Sequence, residues 1–143
     1  MEFMEIIEDA VIEQDKVIKS EGEWRRQLTP EQYFILREKG TEVSFTGRYW
    51  NESDPGIYVC AACGNELFSS FTKFNGGCGL PSYWKPLHSR AVRTTVERGL
   101  FGERTEVLCA RCDSHLGYVH DDGPPPTGMR YSINSAALEL VPE

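Results

Sequence analysis

No apolar run in this sequence approaches the roughly 20 residues that a bilayer span requires. The first residues, Met1-Glu-Phe-Met-Glu-Ile-Ile-Glu-Asp9, lack the basic-then-apolar layout of a secretion signal. They also lack the Arg-rich, acid-poor character of a transit peptide, although the mature form of a processed protein could look the same. The expected location is therefore cytoplasmic. Positive charge is in short supply: 15 Lys and Arg stand against 22 Asp and Glu, a formal net charge of -7. A phosphate-binding face needs the opposite balance, so nucleic acid is an unsuitable partner. There is no low-complexity tract. A length of 143 residues suits one domain with a real core.

What is there is a pattern of cysteines. Cys60-Ala-Ala-Cys63 and Cys109-Ala-Arg-Cys112 are C-x-x-C pairs with 45 residues between them, and they form the only internal repeat. Each pair puts two sulfurs on one tight turn. Two such turns supply the four thiolates that a structural zinc prefers. A lone C-x-x-C can instead be a redox pair. Two of them, each beside strand-like sequence, favour one Zn2+ held by Cys60, Cys63, Cys109 and Cys112. A site with four cysteine ligands is coordinatively full, so it stabilises the fold and the chemistry must lie elsewhere. Cys78 is left as a fifth, odd thiol, permissible in a reducing compartment.

The residue pattern predicts a helix over residues 4–19, a break at Ser20–Gly22, and a second helix that starts at Thr29-Pro-Glu-Gln32 and closes at Gly40. Short strands are expected at Gly56–Cys60, Ala91–Glu97, Arg104–Cys109, His115–His120, Met129–Asn134 and Ala136–Val141. The class is mainly antiparallel β with a helical N-terminal part. Residues 1–22 are read as a helical extension and residues 23–143 as the domain proper. Asn75-Gly-Gly-Cys-Gly79 lets a backbone pass close to another group, and Asp121-Asp-Gly-Pro-Pro-Pro126 stiffens a wall.

Long runs of the chain resemble the methionine-R-sulfoxide reductases, the MsrB family. They are Cys60–Ser70, Thr72–Gly79 with Pro81-Ser82, Arg104–Val107, Cys109–Cys112, His115-Leu-Gly117, Asp122-Gly-Pro124, Pro126–Tyr131 and Ile133–Ala136. The resemblance covers about Trp24 to Val141. It implies two antiparallel sheets packed in a tent-like fold, with zinc at the far end. It implies thiol-dependent reduction of the R epimer of methionine sulfoxide in proteins, with thioredoxin as reductant. In that chemistry a thiolate attacks the sulfoxide sulfur, methionine leaves, and a sulfenic acid remains. A resolving thiol then condenses with it, and thioredoxin reduces the resulting disulfide.

Carried over residue by residue, the resemblance places the nucleophile at position 132, where this sequence has Ser132. It makes Cys78 the resolving thiol and His115, Asn134 and Arg130 further catalytic candidates. Trp50, Leu80, Tyr83, Tyr118 and His120 become the substrate-binding candidates. Several of these depart from the family pattern. Serine cannot form a sulfenic acid or a disulfide. Leu80 stands for the usual Trp of the methyl pocket, and Tyr83 for the usual Phe. Tyr118 replaces a second His, and His120 stands where Phe is expected.

Two readings of Ser132 follow: an engineered Cys→Ser replacement in a reductase, or a natural non-catalytic relative that binds oxidised methionine or a protein partner. Bland readings stand beside the functional ones. His115 suits a satisfied core histidine, Arg130 a strand ion pair, Asn134 a turn cap, and Asp122 the start of a Pro-rich turn. Trp50 suits the core, and Glu106 either solvent or the site. A second metal on His115, His120 and Asp121 or Asp122 has poor geometry.

Overall fold

The computed structural model describes residues 16–143, so most of the helix expected over 4–19 lies outside the described residues. Residues 16–20 are not helical. Ser20–Gly22 is a helix start rather than a break. Helix α1 is Glu21–Gln27, with Ser20 as N-cap in a complete capping box with Glu23. The expected boundary after residue 22 therefore falls inside α1. Helix α2 is Pro30–Arg37, and Thr29 and Gln32 close a second capping box as expected. At its end Lys39, not Gly40, takes the left-handed backbone with φ 59°. Gly40 N–H then donates to the Phe34 carbonyl at 2.9 Å, and a Cβ on Gly40 would stand 2.3 Å from the Phe34 ring.

Nine strands follow among the described residues: β1 Gly56–Cys60, β2 Glu66–Ser69, β3 Lys73–Phe74, β4 Ser82–Tyr83, β5 Val92–Gly99, β6 Gly102–Cys109, β7 His115–His120, β8 Arg130–Ile133 and β9 Leu138–Pro142. They form a three-stranded sheet in the order β2-β1-β9 and a six-stranded sheet in the order β3-β4-β8-β7-β6-β5. Every pairing within them is antiparallel. The mainly-β, two-sheet architecture expected from the sequence is the one observed. The three strands not foreseen are β2, β3 and β4, the last two only two residues long.

Aromatic rings join the sheets. Tyr83 stacks on Phe68 with centroids 4.4 Å apart and meets Tyr58 edge-on at 5.4 Å. Tyr49 also meets Tyr58 edge-on. The helices brace the cysteine turns. Gln27 donates to the Ala62 carbonyl at 2.6 Å, and Arg37 donates to the Cys112 carbonyl at 2.8 Å and the Ser114 hydroxyl at 3.0 Å. Arg37 also lies over the buried Trp24 ring. Among the described residues no helix is long and apolar enough to cross a membrane.

Candidate active site

Strand alternation divides the six-stranded sheet into two chemically different faces. Tyr83, Val107, Val119, Tyr131 and Ile133 face the core. Tyr118 pairs directly with both Ser132 and Glu106, and Ser82 pairs with Ser132. Side chains directly opposite share a face. Glu106, Tyr118, Ser132 and Ser82 therefore line the other side, joined by His120 and Arg130, which pair with each other.

Ser132 is the centre of this polar face. It is 6 % exposed, and its hydroxyl donates to the Tyr118 carbonyl at 3.2 Å. His120 Nε2 lies 3.3 Å from the same oxygen. Arg130 forms a bidentate pair with Asp122, at 2.9 and 3.1 Å. Asp122 thus orients a cation and does not merely open a turn. The Arg130 side chain also lies near the Cys78 sulfur. Cys78, half-buried, has its sulfur 3.8 Å from the Ser82 hydroxyl. The turn that carries Cys78 is tight because of its glycines. A Cβ on Gly76 would sit 2.7 Å from Ser82 Oγ, and one on Gly79 2.7 Å from the Phe45 nitrogen, at φ 79°.

The other site candidates divide. Leu80 is half-buried beside Cys78, and its carbonyl accepts from Ser82 at 3.1 Å. Trp50 is half-buried, meets Phe45 edge-on at 5.1 Å, and lines an open cleft of about 320 Å³ with Glu52, Lys73 and Phe74. Tyr83 is 0 % exposed and lies on the core face, turned away from Ser132. Asn134 lies past the end of β8, accepts from Glu42 N–H at 3.0 Å, and donates to the Leu116 carbonyl at 3.1 Å.

Glu106 lies buried on the polar face with Tyr118, not out in solvent, a choice the sequence left open. Its carboxylate lies 2.6 Å from His115 Nδ1, with both side chains buried. Lys39 lies 3.5 Å from the other Glu106 oxygen and also pairs with Glu97. Burial holds the His115 imidazole below the ordinary histidine value, against the opposing pull of Glu106. Among the described residues its Nε2 has no hydrogen-bond partner. Tyr118 stands edge-on to His115 and points its hydroxyl at Glu97, with Arg104 over its ring at 4.2 Å.

At the other end of β6 and β1 the four cysteines meet. Cys60 and Cys112 sulfurs are 3.7 Å apart, Cys63 and Cys109 are 3.5 Å apart, and all four lie within 4.8 Å of one another. A tetrahedron with Zn–S bonds of about 2.3 Å has edges of about 3.8 Å, so the set fits one zinc ion. Hydrogen bonding from Cys112, Cys60 and Cys63 pulls the Cys109 thiol far down, while its neighbours push Cys60 up. Without a cation such a cluster cannot be fully ionised; a bound zinc would hold all four as thiolates. Among the described residues this is the one cluster of metal-ligand side chains. His115 and Asp122 are committed to Glu106 and Arg130, so the geometry gives no support to a second metal.

Fold and site together define a class: a two-sheet β protein with a four-cysteine knuckle at one end and a thiol, imidazole and guanidinium on one polar sheet face. A SelR-domain sequence profile matches residues 28–142. The chain is 52% identical over 125 residues to the peptide methionine sulfoxide reductase MsrB of Acinetobacter baylyi, covering 87% of this chain and 90% of that protein. It is 56% identical over 131 residues to that of Bradyrhizobium diazoefficiens, covering 90% and 93%. It is 55% identical to the chloroplastic peptide methionine sulfoxide reductase B1 of Arabidopsis thaliana, over 85% of this chain and 60% of that protein. The chain belongs to the MsrB family.

Proposed function

We propose that this chain carries the site of a peptide-methionine (R)-S-oxide reductase, arrested because Ser132 occupies the nucleophile's place. The observation that carries this reading is the convergence of the separate sequence runs on one sheet face. Cys78, Arg130, Ser132 and the His115–Glu106 pair all come to that face. In the working form a thiol at position 132 attacks the sulfoxide sulfur, Cys78 resolves the sulfenic acid, and thioredoxin is the reductant. Arg130 supplies positive charge that favours a thiolate. Trp50 and Leu80 lie toward the methyl group. One zinc on the four cysteines is structural, and the substrate is oxidised methionine in proteins.

A second reading is a natural non-catalytic binding module. It is favoured by the Ser132 hydroxyl, which has a partner both for its proton and for its lone pair. Turnover of both methionine sulfoxide epimers, with dithiothreitol as reductant, separates the two for the chain as given and for Ser132→Cys. The expected result is no turnover by the serine form and R-specific turnover by the cysteine form. No turnover by either, with R-sulfoxide peptide bound by both, would shift the assignment to the binding module.

A further inference from the structure

We propose that His120 is the proton-transfer residue of this site, replacing the imidazole that the family pattern has at Tyr118, and that it works as a pair with the group at position 132. This rests on the reductase reading above. Three observations carry it.

The first is reach. His120 and Ser132 are diagonal neighbours on adjacent antiparallel strands, since His120 pairs with Arg130 and Tyr118 pairs with Ser132. A long side chain spans that diagonal, and His120 Nε2 does so, 3.3 Å from Ser132 Oγ.

The second is direction. The Ser132 hydroxyl has one proton, and the Tyr118 carbonyl takes it at 3.2 Å. The contact with His120 is then an Nε2–H donated to Oγ. A thiolate at this position would accept the same bond from an imidazolium.

The third is the absence of a competitor. Tyr118 turns its phenol to Glu97, 3.4 Å from both carboxylate oxygens, and under Arg104. It is committed to the β5–β6 side of the sheet. His115 is sealed against Glu106. Among the imidazoles of this face that leaves His120, half-buried and partly open to solvent.

Neighbouring groups set its charge. Burial and the Arg130 guanidinium hold the imidazole below its ordinary value, and Asp122 and Asp121 oppose this. The step balances as an oxygen transfer. His120 takes the thiol proton, and the thiolate attacks the sulfoxide sulfur. Nε2–H then gives that proton to the sulfoxide oxygen, which passes to the attacking sulfur. Methionine leaves as the reduced thioether, the thiol is oxidised to a sulfenic acid, and the imidazole returns neutral.

The test uses the zinc-loaded Cys78→Ser/Ser132→Cys protein, with and without His120→Phe. Iodoacetamide alkylation at position 132 is followed against pH by peptide mass mapping. With His120 present, the alkylation inflection should fall below the ordinary thiol range. His120→Phe should move it up by about one unit and slow alkylation at pH 7 about tenfold, the loss expected from the smaller thiolate fraction. Should the Phe variant misfold, His120→Gln keeps a donor but cannot titrate, and the same upward shift is expected. Identical profiles with and without His120 would overturn the proposal.

Turnover separates this idea from the functional reading. Suppose the Ser132→Cys form reduces the R-sulfoxide and His120→Phe leaves its kcat and pH profile unchanged. Then the pairing fails and the reductase reading stands. If alkylation depends on His120 but no form turns over, the pairing stands and the reductase reading fails.

Discussion

Leu80 offers a single-side-chain test of the proposed site. It lies half-buried beside the Cys78 turn, where the family pattern has an indole. A leucine fills space but lacks the flat, polarisable face that grips a methyl group beside sulfur. Sulfur–aromatic contacts are worth about 0.3–1.5 kcal/mol, which corresponds to roughly a twofold to tenfold change in affinity. In a Ser132→Cys background, Leu80→Trp is expected to lower KM for the R-sulfoxide by that factor with kcat little changed. Steady-state kinetics on a sulfoxide peptide check it, and an unchanged or higher KM would show that the methyl pocket lies elsewhere. At this scale much is legible from the sequence alone. Period-2 alternation puts Tyr118 and His120 on one face of their strand, and Ser132 and Arg130 on one face of theirs. The Glu106–His115 pair is not legible. The β6 segment Glu106–Cys109 is buried at every position, and the register shifts between Val107 and Leu108, so simple alternation gives no face. Alternation also gives no face for Asn134, because β8 ends at Ile133.

Helices α1 and α2 are short, and each depends on a reciprocal cap and on packing against a cysteine turn. The Thr29–Gln32 box is plain in the sequence. The Ser20–Glu23 box carries the same S-x-x-E signature, but the Gly22 inside it mimics a break. Strands β3 and β4 leave no trace in the sequence because two residues carry no period. They exist because neighbours align them: Phe74 opposite Ser82, and Ser82 opposite Ser132. The cysteine turns are the elements on which most else hangs. Cys60 ends β1 and Cys109 ends β6, so one ion held by the four cysteines would tie the two sheets together, next to the turns that Gln27 and Arg37 brace. Removing zinc with a chelator, or substituting Cys109→Ser, should therefore cost more than about 3 kcal/mol and lower Tm by about 10 °C. Metal analysis should return one zinc per chain. A Tm unchanged after complete zinc loss would mean that the braced helices alone hold the two ends.

For the whole molecule, charge and burial combine into a prediction about acid. Burial is the leading cause that lowers the imidazoles of both His115 and His120. A histidine with a depressed value in the folded state costs nothing above its unfolded value of about 6.5. As pH falls through that point the unfolded chain takes up the proton and the folded chain resists, so stability drops. Thiolates that hold zinc lose it in the same direction, because protons compete for sulfur. Asp122, held low by its hydrogen bonds to Arg130, adds a separate loss only below about pH 4. Unfolding by denaturant, with zinc followed in parallel, should show a first loss of stability between about pH 7 and 5 and a second below about 4. In the His115→Gln/His120→Gln double variant the first loss should shrink to the part that tracks zinc release. If the double variant keeps the full loss while zinc stays bound through about pH 5, the two imidazoles are not buried as neutral groups, and the polar face is wetter than its geometry implies.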